Sequence, residues 1–168
     1  TKTGIKLCDL GMAATERNAV TGSCVVMRHY RPLEVMLGLP QTKAIDIWSA
    51  SLLLQFATHG YHVLEGKTTK EQVQFVVSLT GAMSAAMYNR LDDRQRRYYR
   101  EVTRTVPSAP RLHSAVQFAK CRRHKRFTAL HLQRLGDLLE NMQNADAAFR
   151  YSAADLLRTK FFTKSQIL

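Results

Sequence analysis

At 168 residues the chain has the length of one domain and can bury a sizeable core. Its apolar share of 45% suits a soluble globular protein. Residues 45–57, the most apolar stretch, are interrupted by Asp46 and too short to span a bilayer, and no charged start leads into an apolar run as in a secretion signal. Those features predict an intracellular protein, nuclear or cytoplasmic, with no membrane partner. Twenty-five Lys and Arg against 13 Asp and Glu leave a net charge of +12, which favours anionic partners without naming one. Cys8, Cys24 and Cys121 are odd in number and form no Cys-x-x-Cys pair, and His59 and His62 lack an acidic or cysteine partner at ligand spacing. Neither a disulfide framework nor a zinc site is expected.

In chain order, Ile5-Lys6-Leu7-Cys8 reads as a short strand ended by Asp9-Leu10-Gly11. Residues 13–24 show no helical period and are small and polar, a long loop of the kind that carries function. Residues 45–58 are apolar nearly all round, which predicts a buried helix. Thr68-x-x-Glu71 is a capping box ahead of Val73, Phe75, Val76, Val77 and Leu79, and predicts a second helix. Residues 89–126 are basic and less regular, and Pro107 and Pro110 disfavour a continuous helix there. Leu132, Leu135, Leu138, Leu139 and Met142 form a helical stripe, and Ser152-x-x-Asp155 opens a last helix carrying Leu156, Leu157 and Phe161.

Alone, Asp9-Leu10-Gly11 is an ordinary turn. An ordered series of motifs changes its meaning. Lys6-Leu7-Cys8-Asp9-Leu10-Gly11 resembles the magnesium-binding Asp-Phe-Gly loop of protein kinases. Arg28-His29-Tyr30-Arg31-Pro32-Leu33-Glu34 resembles the Arg-x-Tyr-Arg-Ala-Pro-Glu close of their activation segment. Asp46-Ile47-Trp48-Ser49 resembles the start of the central kinase helix, Asp146-Ala147-Ala148-Phe149-Arg150 the late Asp-Pro-x-x-Arg motif, and Phe161-Phe162 the aromatic close of the domain. The Tyr-Arg form and the basic insertion point to the CMGC group, home of MAP kinases and splicing kinases. Within it the chain most resembles splicing kinases of the Prp-four type, on Gly66-Lys67-Thr68, Leu79-Thr80-Gly81-Ala82-Met83 and Met87.

The resemblance implies a mainly α fold. It would be a kinase C-lobe fragment with a short β-strand at its N-terminal edge and the N-lobe absent. Residues 8–34 would hold the magnesium loop and activation segment, 45–58 the buried central helix, 89–127 a basic insertion and 128–163 the terminal helices. It implies serine/threonine phosphorylation of protein substrates with ATP and Mg2+, with splicing factors among the partners. Asp9 inherits the catalytic, cofactor-binding and metal-binding role, because phosphoryl transfer needs a carboxylate holding magnesium against phosphate oxygens. Leu10 keeps an apolar plug and Gly11 permits the turn.

In the group, arginines capture a phosphorylated tyrosine or nearby hydroxyl. Arg28 and Arg31 match those arginines, while the tyrosine position falls on Cys24, leaving Thr21 and Ser23 as the nearest hydroxyls. The alternative is that both arginines pair with surface carboxylates. Glu34 and Arg150 match a buried structural ion pair. Asp46 either accepts hydrogen bonds from a catalytic loop or simply favours the helix dipole. Pro32-Leu33 in place of Ala-Pro, and Ser51 in place of Gly, fit a divergent kinase or a pseudokinase. The runs 94–100 and 120–126 are solvated faces, a nuclear-localisation or RNA-binding patch, or a docking surface for acidic substrates. The rival function is a non-catalytic pseudokinase or a basic protein- or RNA-binding module. The sequence shows no glycine-rich phosphate loop, and these residues alone are not expected to transfer phosphate.

Overall fold

Helices form where apolar spacing and caps coincide. The computed structural model describes residues 4–19, 26–106 and 128–163. The longest helices are α2 (Ala44–His59), α3 (Thr69–Thr80), α5 (Asp93–Thr103) and α6 (Ala129–Met142), joined by the short α1 (Leu33–Met36), α4 (Ala85–Asn89), α7 (Ala153–Leu157) and α8 (Lys160–Thr163). Single 3-10 turns at Leu10–Met12, Glu16–Asn18, Arg28–Tyr30 and Ala147–Phe149 shape the connections. The described fold is thus mainly α. Residues 5–8 do not form the expected strand. A ladder needs a partner strand, none of the described residues supplies one, and Ile5 and Leu7 stand 99% and 93% exposed.

Caps explain most helix starts. Thr68 Oγ1 accepts from the Glu71 N–H at 3.1 Å, but Glu71 reaches past the cap to accept from the Lys67 N–H at 2.7 Å. Ser152 and Asp155 close the full reciprocal box, with backbone donations of 3.2 and 3.1 Å. Asp92 and Gln95 form an equally complete box at the head of α5, a helix that begins inside the stretch expected to be irregular. The last expected helix is two. Thr159 ends α7 by donating its hydroxyl to the Leu156 carbonyl at 2.7 Å and begins α8 by accepting from Phe162 and Thr163. Gly60, in the left-handed region at φ 79°, stops α2 with its N–H on the Phe56 carbonyl at 2.8 Å.

The core lies in two parts. One gathers Trp48 and Leu52 of α2, Val73, Val76 and Val77 of α3, and Tyr99 and Val102 of α5 around Leu33. The other packs Leu135, Leu138, Leu139 and Met142 of α6 on Leu156 of α7. Helix α2 is half-buried rather than enclosed. Its Trp48, Leu52 and Gln55 face inward, whereas Leu53 is 56% exposed, because described elements cover only one side of the helix. Ser51, fully buried on that inner side, accepts from Gln143 Nε2 at 3.0 Å, and Gln143 exchanges amide hydrogen bonds with Gln55 across the α2–α6 contact. The serine standing where the resemblance implies glycine is therefore satisfied. Pro32 is buried, and Leu33, fully buried, packs into the first core at the start of α1.

Candidate functional site

The residues singled out by sequence divide into an open front and an anchored base. At the front, Asp9 adopts φ 60°, ψ 66° ahead of the Leu10–Met12 turn. Asp9 is the one non-glycine residue with positive φ among those described, and Gly11 is not among the positive-φ glycines. The left-handed step of this loop thus falls on the aspartate, a residue type that tolerates it, and not on the glycine. Leu10 is 71% exposed and plugs nothing among the described residues. The front is tied down through Glu16, which accepts from the Lys43 N–H at 3.1 Å and lies 3.9 Å from Lys43 Nζ.

A magnesium ion bound with nucleotide needs one or two protein carboxylates, the phosphates supplying other oxygens. The exposed Asp9 carboxylate fits that demand for one ligand. No group of three His, Cys, Asp or Glu side chains comes together among the described residues, so no self-sufficient metal cage forms there.

Behind the front, the Arg28–Tyr30 turn is latched to the loop before α3. Gln72, fully buried on α3, donates Nε2 to the Arg28 carbonyl at 2.8 Å and accepts from the Gly66 N–H at 2.9 Å. A Cβ on Gly66 would stand 2.5 Å from the Gln72 nitrogen, so only glycine permits this approach. Arg28 donates Nη1 to the Lys67 carbonyl. His29 Nδ1 lies 2.8 Å from the Leu64 carbonyl. A carbonyl can only accept, so Nδ1 carries the proton. The His62 ring is sandwiched between His29, at 4.3 Å, and Phe56, at 4.6 Å, with Tyr30 edge-on at 5.6 Å. From the other side, Ser49 of α2 donates to the Tyr30 carbonyl at 3.1 Å.

Arg31 spends its guanidinium on the Val26 carbonyl, at 3.1 and 2.9 Å. Neither Arg28 nor Arg31 is paired with a carboxylate among the described residues; both hold backbone carbonyls. Thr21, Ser23 and Cys24, and the basic run 120–126, lie outside the described residues. Asp46 sits exposed in the first turn of α2, where a carboxylate is favoured by the helix dipole.

The base is Arg150, which uses all five of its N–H groups. Nη1 donates to Glu34 Oε1 at 2.9 Å and to the Ala44 carbonyl at 2.6 Å, and Nη2 donates to Glu34 Oε2 at 3.3 Å and to the Asn144 carbonyl at 2.9 Å. Nε adds a second bond to Asn144 at 3.2 Å, and the guanidinium stacks 5.1 Å from the Trp48 ring. With Glu34 2% and Arg150 7% exposed, this bidentate pair joins α1, the head of α2 and the segment after α6. Asp146 accepts from the Ala148 N–H at 3.0 Å and bonds the Ser84 hydroxyl, tying that segment to the start of α4.

Sequence reasoning named Asp9, Arg28, Arg31, Glu34 and Arg150 but missed Gln72, His29, His62 and Ser49, which hold the turn between them. No local pattern marks a glutamine whose carbonyl partner is 44 residues away.

Comparison with known proteins agrees with this arrangement. A model of the protein kinase domain matches residues 1–162. Human mitogen-activated protein kinase 13 is 28% identical over 162 residues, which cover 94% of this chain and 40% of that protein. Mitogen-activated protein kinase HOG1A of Wallemia ichthyophaga is 29% identical over 154 residues, covering 91% of this chain and 38% of the relative. Homeodomain-interacting protein kinase 1 of Caenorhabditis elegans is 28% identical over 104 residues, 62% of this chain and 12% of that protein. The chain belongs to the protein kinase family. Its MAP-kinase relatives place it with CMGC-type kinases, and it spans about 40% of the length of human mitogen-activated protein kinase 13. Among the described residues no helix is long and apolar enough to cross a membrane.

Proposed function

We propose that these residues form part of a protein serine/threonine kinase that transfers the γ-phosphate of ATP to protein hydroxyl groups, with Mg2+ held in part by Asp9. The observation that carries the reading is the Glu34–Arg150 pair. It joins two motifs 116 residues apart and fastens the segment following the magnesium loop to the helical body. Asp9, on an exposed left-handed turn, would offer its carboxylate to the ion, and the ion would neutralise charge on the phosphates. The latch of Gln72, His29 and Ser49 fixes the Arg28–Tyr30 turn and so the end of the activation segment. Arg28 and Arg31 would trade carbonyl partners for a phosphorylated hydroxyl when the segment is modified.

Serine/threonine specificity is supported by the similarity to mitogen-activated protein kinases. A role in pre-mRNA splicing, with splicing factors as substrates and the nucleus as the compartment, is supported by the Gly66 and Leu79–Met83 stretch of the sequence. Incubating the complete protein with ATP, Mg2+ and a generic protein substrate tests the chemistry. Phosphoserine and phosphothreonine are expected in the hydrolysed product. Phosphotyrosine alone, or no phosphate at all, would overturn the proposal.

A further inference from the structure

Helix α5 has one face that makes no contact in the described part of the fold. At about 100° per residue, Arg94, Arg97, Arg100 and Arg104 fall within an arc of about 120°, and their positions span about 15 Å of the axis. All four are exposed. None forms an ion pair with another described residue: of the two acidic residues on this helix, Asp93 lies 3.4 Å from Arg96 instead, and Glu101 forms no ion pair with a described residue. Like charges three and four residues apart repel along a helix, and Asp93 and Glu101 offset only part of that repulsion on this arc, so the face gains from an anionic partner.

Two observations choose among anionic partners. First, the aromatic residues interleaved with these arginines turn inward. Tyr99 is 6% exposed and its hydroxyl oxygen accepts from the Met83 N–H at 3.2 Å, while Tyr98 packs on the same core. The Tyr88 ring beside them is covered by Arg96 at 5.9 Å. Among the described residues of this helix, no ring stands exposed as a stacking platform of the kind single-stranded nucleic acid uses. Second, the exposed face is not uniformly cationic. Asp93 and Glu101 stand exposed on the same arc. They would oppose the unbroken charge of a phosphate backbone but leave room for separate carboxylates placed between them. Alternate side chains of an extended peptide recur every ~6.6 Å, within reach of arginines about 4.5–6 Å apart along the axis.

We propose that the exposed face of α5 is a docking surface for an acidic, Asp- or Glu-rich segment of a partner protein. Guanidinium forks take carboxylates two bonds at a time, so the contact is specific as well as electrostatic. This inference does not depend on phosphoryl transfer. A chain with no kinase activity would dock the segment equally well.

The test is fluorescence anisotropy with a labelled glutamate-rich peptide, at physiological salt, against the complete chain. The double variant Arg97→Glu/Arg100→Glu is exposed at both positions and should retain its fold, checked by circular dichroism. Its affinity for the peptide should fall about tenfold or more. Lys70→Glu, a single exposed charge reversal on α3, should leave affinity within about twofold. The proposal is overturned if the parent chain does not bind the peptide, or if Lys70→Glu weakens it as much. It is also overturned if the loss comes only with Arg122→Glu/Arg123→Glu. Tighter binding of a short RNA duplex than of the peptide, lost in the same α5 variant, would assign the face to nucleic acid instead.

Discussion

Replacing Arg150 with Met removes five donors at once and leaves Glu34 as a buried charge without a counter-ion. Removing one partner of a buried pair costs about 3–5 kcal/mol, because the remaining ion keeps its desolvation penalty and loses its compensation. The carbonyls of Ala44 and Asn144 lose their guanidinium donors as well, which places the expected value near the upper end. Against a total stability of about 5–15 kcal/mol, that is a large share. For a chain of this size, about 2–4 °C of melting temperature is lost per kcal/mol, so the transition should fall by about 6–20 °C. Glu34→Leu should act in the same direction, since it strands the guanidinium. The double variant Glu34→Leu/Arg150→Met removes both charges together and should cost clearly less than the two single changes summed. Urea denaturation followed by far-UV circular dichroism measures all three. Single costs under about 1 kcal/mol, as for a surface pair, or strict additivity in the double variant, would refute the claim that this pair fastens the fold.

Further predictions concern smaller contacts. Ser51→Ala removes the acceptor of one Gln143 amide N–H in a fully buried site, and should cost about 1–3 kcal/mol in the same urea assay. Tyr99→Phe strands the Met83 N–H that now donates to the phenol oxygen, and should cost a similar amount, readable as a lower denaturation midpoint. Gly66→Ala places a methyl 2.5 Å from the Gln72 backbone nitrogen, and should destabilise by about 1–3 kcal/mol with altered amide NMR shifts at Arg28 and Lys67. The Ser152 hydroxyl and N–H donate to Asp155 and, with help from Arg158, hold its carboxyl below the ordinary aspartate range. The ionised form is therefore favoured in the fold. Its contribution is present above the unfolded value and is lost as pH falls through the depressed one. Ser152→Ala should move the Asp155 carboxyl midpoint upward in an NMR titration; an unchanged midpoint would contradict the cap geometry.

Much of the helical body could be read from the sequence because its signals are local. Thr68 and Ser152 cap the helices their motifs announce, and the Leu135–Met142 stripe lies buried on α6. Helix α5 was hidden by its composition. Its arginines suggest an irregular basic segment, although Asp92-x-x-Gln95 is itself a capping box and Tyr99 and Val102 a two-residue apolar face. The strand at residues 5–8 failed for the opposite reason. Alternation suggests a strand, but a strand exists only with a partner, which no local pattern supplies. In the site, Glu34 and Arg150 were legible through a family resemblance and not through spacing. The Gln72 and His29 contacts cross 44 and 35 residues to backbone carbonyls, which every residue possesses and no sequence distinguishes. The left-handed step at Asp9 rather than Gly11 is likewise a matter of backbone geometry, since both residue types tolerate it.

Phosphoryl transfer by the complete protein, compared with its Asp9→Asn variant at saturating ATP and Mg2+, asks whether Asp9 serves a kinase reaction. The parent protein should label protein hydroxyls, and the variant should lose nearly all of this activity while melting at the same temperature, since Asp9 is exposed and supports no core contact. Equal activity in the two proteins would contradict the assignment of magnesium to Asp9, and an inactive parent would contradict the kinase reading itself.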